Sequence, residues 1–274
     1  MGAFSTEPSQ EATAAWLTSP ERRAALVIAH PAHEIRVLHW LMLTRPRAYV
    51  LTQGARSGHD GTRRQASDRM IAALGACVAP WGGAWDKDIY NFVMKGDAAP
   101  FIALTDELTL DLIARETDLV VADGWQYYNL AHDLTHLMAR IAALRASTAL
   151  KREIVLVDYP VVPDELAPHA THGRAIATLE LTADHVAQKR AAITAIPDIA
   201  HEAMEIEQTE GDLAHAREVL QQPLPLEQLL ATPSAKPHYE SFGEERVAAG
   251  IYKDVVRWSH VSAICNALAK HYGL

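Results

Sequence analysis

The sequence predicts an α/β fold, in which a mostly parallel sheet is covered by helices on both faces. Short apolar runs bounded by polar residues recur along the first 160 residues. A helix-like pattern follows each of the first three runs, and strands that alternate with helices are typical of parallel sheets. The runs are apolar throughout, as expected of strands buried on both faces. The predicted architecture is therefore Rossmann-like, with further helices appended after the sheet.

The predicted elements follow in order along the chain. The four predicted strands are AALVIA (24–29), AYVLTQG (48–54), DLVVADG (118–124) and EIVLVDYP (153–160). Helices are expected near 33–44, over 62–76 and over 130–146. Beyond residue 160 we expect a helix over 182–196, a charged helical stretch over 198–220, a proline-rich loop over 222–237 and an amphipathic helix over 245–274 that breaks at Gly250. This pattern divides the chain into an N-terminal segment (1–21), an α/β core (22–160) and a mostly helical part of the same domain (161–274).

Composition narrows the class of protein. The chain has 274 residues, of which 49% are hydrophobic, so it can bury a large core. The formal net charge is −9 and no basic stripe occurs, which argues against a nucleic-acid partner. No apolar run approaches the roughly 20 residues that span a bilayer. With two cysteines and no signal-like N-terminus, we expect a cytoplasmic protein that acts on a small molecule. The sequence leaves open whether it forms a homo-oligomer.

Two histidines stand where the first strand ends. His30 follows the apolar run, Pro31 stops ladder pairing, and His33 opens the next helical pattern. Ligands of open α/β sheets bind outside the carboxyl ends of the strands. Two neutral imidazoles at that edge form half of a site for Zn²⁺ or a similar ion. Alternatively, both rings simply cap and hydrogen-bond the turn.

A further ligand is expected after the strand at 118–124. His132 and His136 are spaced i, i+4 and share one face of the predicted helix. By itself such a pair is more often a packing or surface feature than a metal site. Asp133 follows His132 directly and points elsewhere on the helix.

An ordered set of motifs over residues 24–160 resembles the PIG-L/LmbE-like N-acetylglucosaminyl deacetylases. The family's His-Pro-Asp-Asp-Glu motif appears here as AHPAHE (29–34), and its Thr-x-Gly strand end as LTQG (51–54). The family's Arg-initiated helix matches TRRQASDRMIAALGA (62–76), and its Gly/Asp segment matches WGGAWD (81–86). The strand before its second histidine motif matches DLVVAD (118–123). The chain is thus similar to a divergent member of this family.

The resemblance implies a set of site residues. It makes His30, His33 and His132 the metal ligands, with zinc or another divalent ion such as Fe²⁺ as cofactor. Glu34 is expected to orient a ligand histidine from behind. The resemblance also gives Tyr127 the role of polarising the substrate carbonyl, with Tyr128 as its neighbour, and it implies substrate contacts for Arg63 and Asp86.

The chain departs from the family pattern at its acid and base positions. The family's general base is the first Asp of the first motif, and here that residue is Ala32. The second histidine motif has Asn129 and Ala131 in place of a His and an Asp. We expect Asp133 to substitute as the base, because it adjoins a ligand. The other local candidates are Glu34, Asp60, Asp123, His59 and His136.

Two more features near this edge have open interpretations. The loop at 52–64 contains glycines and arginines, and is either a cradle for an anionic or sugar group or a solvated loop. Trp81, Trp85 and Trp125 fall near predicted loops, where indoles either stack on a substrate or line the core margin.

These residues predict a metal-dependent hydrolase of the PIG-L/LmbE type that acts on a C–N bond of an N-acyl, amino-sugar-like substrate. Three neutral ligands leave the ion its full charge, which favours acidic bound water. Two alternatives stay open. The first is a non-hydrolytic iron or copper enzyme, which an all-histidine site also suits. The second is a catalytically silent homologue that only binds a metal or a ligand.

Overall fold

A seven-stranded sheet forms the centre of the molecule. The structure is a computed structural model that describes residues 9–54, 62–163, 173–195, 207–208, 211 and 215–274. The strands are ordered β3–β2–β1–β4–β5–β7–β6, and the first five run parallel. β7 is antiparallel to β5, and β6 to β7. The predicted α/β class with a mostly parallel sheet is confirmed. The strands are β1 (Ala24–Ile28), β2 (Arg47–Val50), β3 (Cys77–Val78), β4 (Leu119–Asp123), β5 (Val155–Tyr159), β6 (Arg174–Glu180) and β7 (Arg217–Gln222).

Helices cover both faces of this sheet. One apolar cluster joins Ala25 and Val27 of β1 to the helices over 99–114, 130–150 and 258–272. The other joins Leu26 and Ile28 to the helices over 10–17 and 38–44. Alternate residues of one strand thus face opposite layers, and an uninterrupted apolar run is what this arrangement requires. The described helices are α1 (Gln10–Leu17), a 3-10 helix (His33–Val37), α2 (Leu38–Thr44), α3 (Thr62–Ala73), α4 (Asp86–Lys95), α5 (Ala99–Ala114), α6 (Leu130–Leu150), α7 (Ala183–Thr194), α8 (Leu226–Leu230), α9 (His238–Ala248) and α10 (Trp258–Tyr272).

The strand order reverses between β1 and β4. From β1 the chain proceeds through β2 to β3 on one side, whereas β4 and β5 lie on the other. The parallel register pairs Val27 with Ala122, so both strands end at the same level. Ligands of open α/β sheets bind where the order reverses in this way. The loops after β1 and β4 therefore open onto one crevice.

A buried ion pair connects the C-terminal strands to the helix that follows the first loop. Glu218 of β7 accepts hydrogen bonds from the backbone N–H groups of His39 and Trp40, at 2.8 and 2.9 Å. These are first-turn amides of α2, which have no partner within the helix. Lys189 of α7 contacts the same carboxylate, with 2.8 Å between Nζ and Oε1. The sheet thus holds α2 and α7 beside the loop that carries His33.

Several elements differ from the expectations. The predicted helix near 33–44 begins as a 3-10 helix, and strands β6 and β7 both fall in the part expected to be mostly helical. In particular, the charged helix predicted over 198–220 is a β-strand from Arg217 onward. The proline-rich loop contains the short α8, whereas the expected break at Gly250 is confirmed between α9 and α10. Among the described residues, no helix combines the length and apolar character needed to cross a bilayer.

Candidate metal centre

The first loop forms a tight turn that is held from α3. Ala32 adopts a left-handed conformation with φ of 83°, and the 3-10 helix starts at the next residue. The Ala32 backbone N–H donates to Oγ of Ser67 at 3.4 Å. Nε of Arg63 donates to the carbonyl of Pro31 at 3.1 Å. These contacts from α3 fix the turn, so His30 and His33 point to the same side.

The second loop is held by the start of α6. Asn129 caps this helix by accepting the N–H of Ala131 at 2.9 Å. Oδ1 of Asp133 accepts the N–H groups of Gln126 and Tyr127, at 3.1 and 3.2 Å. The loop before α6 is therefore folded back onto the first turn of its own helix. His132 lies in that turn and faces the first loop.

The structure brings the three predicted ligand histidines together. The ring centroids are 5.1 Å apart for His30 and His33, 5.0 Å for His30 and His132, and 4.6 Å for His33 and His132. Each ring offers one nitrogen, and these nitrogens lie within 4.8 Å of one another. Nδ1 of His30 and Nε2 of His132 are 3.1 Å apart. Zn–N bonds of about 2.0–2.1 Å in a tetrahedral site would place such nitrogens roughly 3.3 Å apart. The cluster therefore fits a three-histidine metal site that leaves a coordination position open.

In two of these rings, the nitrogen that faces away from the cluster lies beside a carboxylate. Nε2 of His30 lies 3.2 Å from Oδ1 of Asp86, and Nδ1 of His33 lies 2.7 Å from Oδ2 of Asp123. Asp123 also accepts the N–H of Ala29 and the hydroxyl of Tyr159, both at 2.7 Å. Carboxylates behind metal-binding imidazoles fix the ring and its tautomer. The arrangement leaves Nδ1 of His30 and Nε2 of His33 directed at the shared position.

The electrostatic environment favours the neutral form of His33 and His132. Burial lowers the pKa of His132 well below its ordinary value, and the charges of His33, His30 and Arg63 act in the same direction. Burial also lowers the pKa of His33, although Asp123 opposes this shift. Metal ions compete with protons for the ring nitrogen. Rings that resist protonation are therefore ready to bind an ion at neutral pH.

The carboxylate expected behind a ligand histidine is a different residue. Glu34 is fully buried, and its Oε1 accepts the hydroxyl of Ser67 rather than a ligand ring. Burial raises the pKa of Glu34 to about 7, against the opposing effect of the Ser67 hydrogen bond. Asp86 and Asp123 make the contacts with the rings. This corrects the role expected of Glu34, and also gives Asp86 a contact with His30 in addition to its expected role in binding substrate.

The residues expected to act in catalysis lie just behind the second loop. Asp133 is fully buried and accepts the Gln126 and Tyr127 amides, and burial raises its pKa to about 8. The hydroxyl of Tyr127 lies 3.4 Å from the carbonyl oxygen of Leu229. Burial raises the pKa of Tyr127 to about 12. The ring of its neighbour Tyr128 lies beside the cluster, with its centroid 6.4 Å from that of His132.

The remaining candidates have varied positions. Arg63 adds positive charge near the cluster, since it contributes to the lowered pKa values of His33, His132 and Asp86. His136 is buried, and its Nδ1 lies 2.9 Å from the carbonyl oxygen of Asp123. Trp81 and Trp125 belong to the apolar core. His59, Asp60 and most of the glycine- and arginine-rich loop lie outside the described residues.

Comparison with known proteins yields structural matches at low sequence identity. No protein-family model and no curated protein matches the chain. It is similar to a deacetylase triple mutant (Orf2*T) of the teicoplanin biosynthetic pathway, with 14% identity, a TM-score of 0.44, and 70% of this chain and 87% of that chain covered. A deacetylase–bog complex from teicoplanin biosynthesis matches at 12% identity and a TM-score of 0.44, covering 72% of this chain and 96% of that one. The zinc-inhibited form of teicoplanin deacetylase Orf2 matches at 12% identity and a TM-score of 0.41, covering 82% of this chain and 94% of that one. The chemistry of this chain must therefore be argued from its own residues.

Proposed function

We propose that this protein is a metal-dependent hydrolase that cleaves the C–N bond of an N-acyl substrate, with zinc as the favoured metal. The observation that supports the proposal is the convergence of His30, His33 and His132 at the point where the strand order reverses. When bound by three neutral imidazoles, a divalent zinc ion acts as a strong Lewis acid and makes water more acidic.

The chain's own residues hold and surround that ion. Asp86 and Asp123 keep two of the ligand rings in place. The Asp86 side chain is 23% exposed, whereas that of Asp123 is completely buried. Asp86 is thus open to substrate, and its carboxylate can accept a hydrogen bond from an N–H or O–H group. Arg63 contributes positive charge on the same side, which favours a polarised carbonyl or an anionic group.

The proposed roles of Tyr127 and Asp133 depend on which of their oxygens is available. Tyr127 stabilises an oxyanion only if its hydroxyl exchanges the Leu229 carbonyl for the substrate. Oδ1 of Asp133 accepts both loop amides and so shapes the loop that precedes His132. Its buried Oδ2 has no hydrogen-bond partner among the described residues, so this oxygen would carry any proton transfer.

A second candidate function is favoured by the apolar surroundings of Ala32. Its methyl group packs with Ile35 and Ile193, so position 32 itself supplies no acid or base. A histidine site whose expected base position is apolar also suits redox-active iron or copper. The third candidate is a protein that binds a metal or ligand without turnover.

Elemental analysis of protein purified without added metal separates these functions. Stoichiometric zinc, together with turnover of N-acetylglucosamine or 4-nitroacetanilide, supports the hydrolase. Iron or copper supports the redox enzyme, and zinc without turnover, or absence of a bound metal, supports the silent homologue. Replacing His132 with Ala should abolish metal binding and turnover together. The control is the exposed His271, where the same change should alter neither.

The vacant base position offers a gain-of-function test. In the zinc-loaded protein, Ala32→Asp restores the carboxylate that the resemblance places here, between His30 and His33 in the sequence, so we expect hydrolysis of either probe to rise at least about tenfold. An unchanged rate in a folded, zinc-loaded Ala32→Asp variant would contradict hydrolysis at this centre.

A further inference from the structure

A row of aromatic rings leads outward from the histidine cluster. The Tyr128 ring centroid lies 6.4 Å from that of His132, with the planes tilted by 31°. His238 stacks on Tyr128, with the centroids 4.2 Å apart and the planes 11° from parallel. Phe242 follows at 6.0 Å from His238, at an angle of 22°. We call Tyr128, His238 and Phe242 the aromatic row. Its inner end adjoins a ligand ring and its outer end reaches the surface.

The backbone fixes this row in place. His238 is the first residue of α9, and its N–H donates to the carbonyl of Tyr127 at 2.9 Å. Nδ1 of His238 lies 3.3 Å from the carbonyl oxygen of Tyr128. Phe242 and Arg246 follow at intervals of four residues on the same helical face. The guanidinium of Arg246 lies 4.6 Å from the Phe242 ring centroid. The helix therefore presents these rings in a defined direction relative to the loop before His132.

Helix stability alone does not explain why the rings of the aromatic row are exposed. Neighbouring aromatic side chains at i, i+4 stabilise a helix by only about 0.2–0.5 kcal/mol. His238 is exposed, and Phe242 is 37% exposed. Among the described residues, Phe242 and Tyr252 are the two large aromatic side chains that are exposed. Exposed aromatic surface beside a polar site is typical of ligand binding.

We propose that the aromatic row binds an aromatic acyl group of the substrate, holding its ring against Tyr128, His238 and Phe242 while the adjoining carbonyl reaches the histidine cluster. The inference rests on the proposed metal-dependent function and names its substrate class. Aromatic rings interact favourably at centroid distances of about 4.5–7 Å, in offset-stacked or edge-to-face geometry. The Tyr128 ring centroid lies 6.4 Å from that of the ligand His132, so an aromatic ring joined directly to a carbonyl at the cluster would lie next to the inner end of the row.

Two hydroxamates test the proposal on the zinc-loaded full chain. Acetohydroxamate and benzohydroxamate share the metal-chelating group, but the first carries a methyl group on its carbonyl and the second a phenyl ring. Calorimetric titration should show that benzohydroxamate binds about tenfold more tightly, since a ring contact of this kind is worth up to about one power of ten in affinity. Phe242→Ala and His238→Ala should each reduce this preference about threefold and leave acetohydroxamate affinity within twofold. Leu110→Ala removes an equally apolar side chain, 66% exposed on α5, and should leave the preference unchanged.

The remaining outcomes separate the two proposals. Equal affinity for the two hydroxamates would overturn the aromatic subsite and leave the metal centre standing. A preference that survives both substitutions would also overturn it, because another surface would then hold the ring. Absence of zinc loading, or of binding by both compounds, would overturn the metal centre and the subsite together. Acetohydroxamate binding to each variant shows that its site is folded.

Discussion

Replacing Asp86 with Asn tests whether a carboxylate behind a ligand ring strengthens metal binding. Zinc at about 100 times its dissociation constant should stabilise the native protein by about 2.7 kcal/mol. For a chain of this size that raises the melting temperature by about 5–10 °C. Loss of an orienting partner of a ligand histidine lowers metal affinity about 10–100-fold. Asp86 lies 3.2 Å from His30 Nε2 and its side chain is 23% exposed, so solvent weakens the contact and the lower end applies.

At the same zinc concentration, a tenfold weaker site leaves about 1.4 kcal/mol of stabilisation, and the zinc-induced shift falls to about half. Scanning calorimetry with and without zinc measures this shift. Asp123→Asn should abolish most of it, because Asp123 lies 2.7 Å from His33 in a fully buried setting. Asp88→Asn makes the same charge change one half-turn along α4 and should keep the full shift. A full shift in the Asp86→Asn variant would refute the orienting role, and a full shift in His132→Ala would refute the metal centre.

Three further substitutions test the framework of the site. Glu218→Gln removes the carboxylate that pairs with buried Lys189, and should lower the free energy of unfolding by about 3 kcal/mol in urea titrations; a loss below about 1 kcal/mol would contradict the buried pair. Gly82→Ala sets a Cβ 2.4 Å from the carbonyl oxygen at position 51, so it should destabilise far more than Gly96→Ala, which has a similar positive φ and open space; equal melting temperatures would count against the close approach. Burial lowers the pKa of His136 to about 4, whereas the imidazole in the unfolded chain titrates near 6.5. Between these pH values the unfolded state binds more protons than the folded state, so the free energy of unfolding falls as the pH drops from about 6.5 toward 4. His136→Gln should reduce that loss between pH 7 and 5, and an identical pH dependence would disprove the shift.

The central strands were predictable because burial on both faces imposes an apolar run. β1, β4 and β5 were recognised in this way. β7 overlaps the end of the helix predicted over 198–220, because its residues 217–222 alternate between exposed and buried positions and include charged side chains. β6 is also largely exposed, so it has no continuous apolar signal. Strands at the margin of a sheet depend on tertiary pairing more than on their own composition.

Convergence of the ligand histidines was predictable because the loops after parallel strands open at one edge. The partners behind those rings were harder to identify. Glu34 is adjacent to His33 in sequence, yet the direction of the 3-10 helix turns it toward Ser67, and Asp123 on the neighbouring strand takes its place. The aromatic row had no sequence signal, since Tyr128 and His238 are 110 positions apart. Contacts of that kind depend on how the last helices dock onto the sheet.

The alanine in the first loop separates the shape of this turn from its chemistry. A left-handed backbone costs an ordinary residue about 1–2 kcal/mol, and alanine gains no local hydrogen bond in return, as asparagine or aspartate can. The loop nevertheless keeps its geometry, because Ser67 and Arg63 of the neighbouring helix form hydrogen bonds with its backbone. The side chain at position 32 can therefore change without rebuilding the scaffold. A single substitution is enough to add or remove a reactive group at this turn.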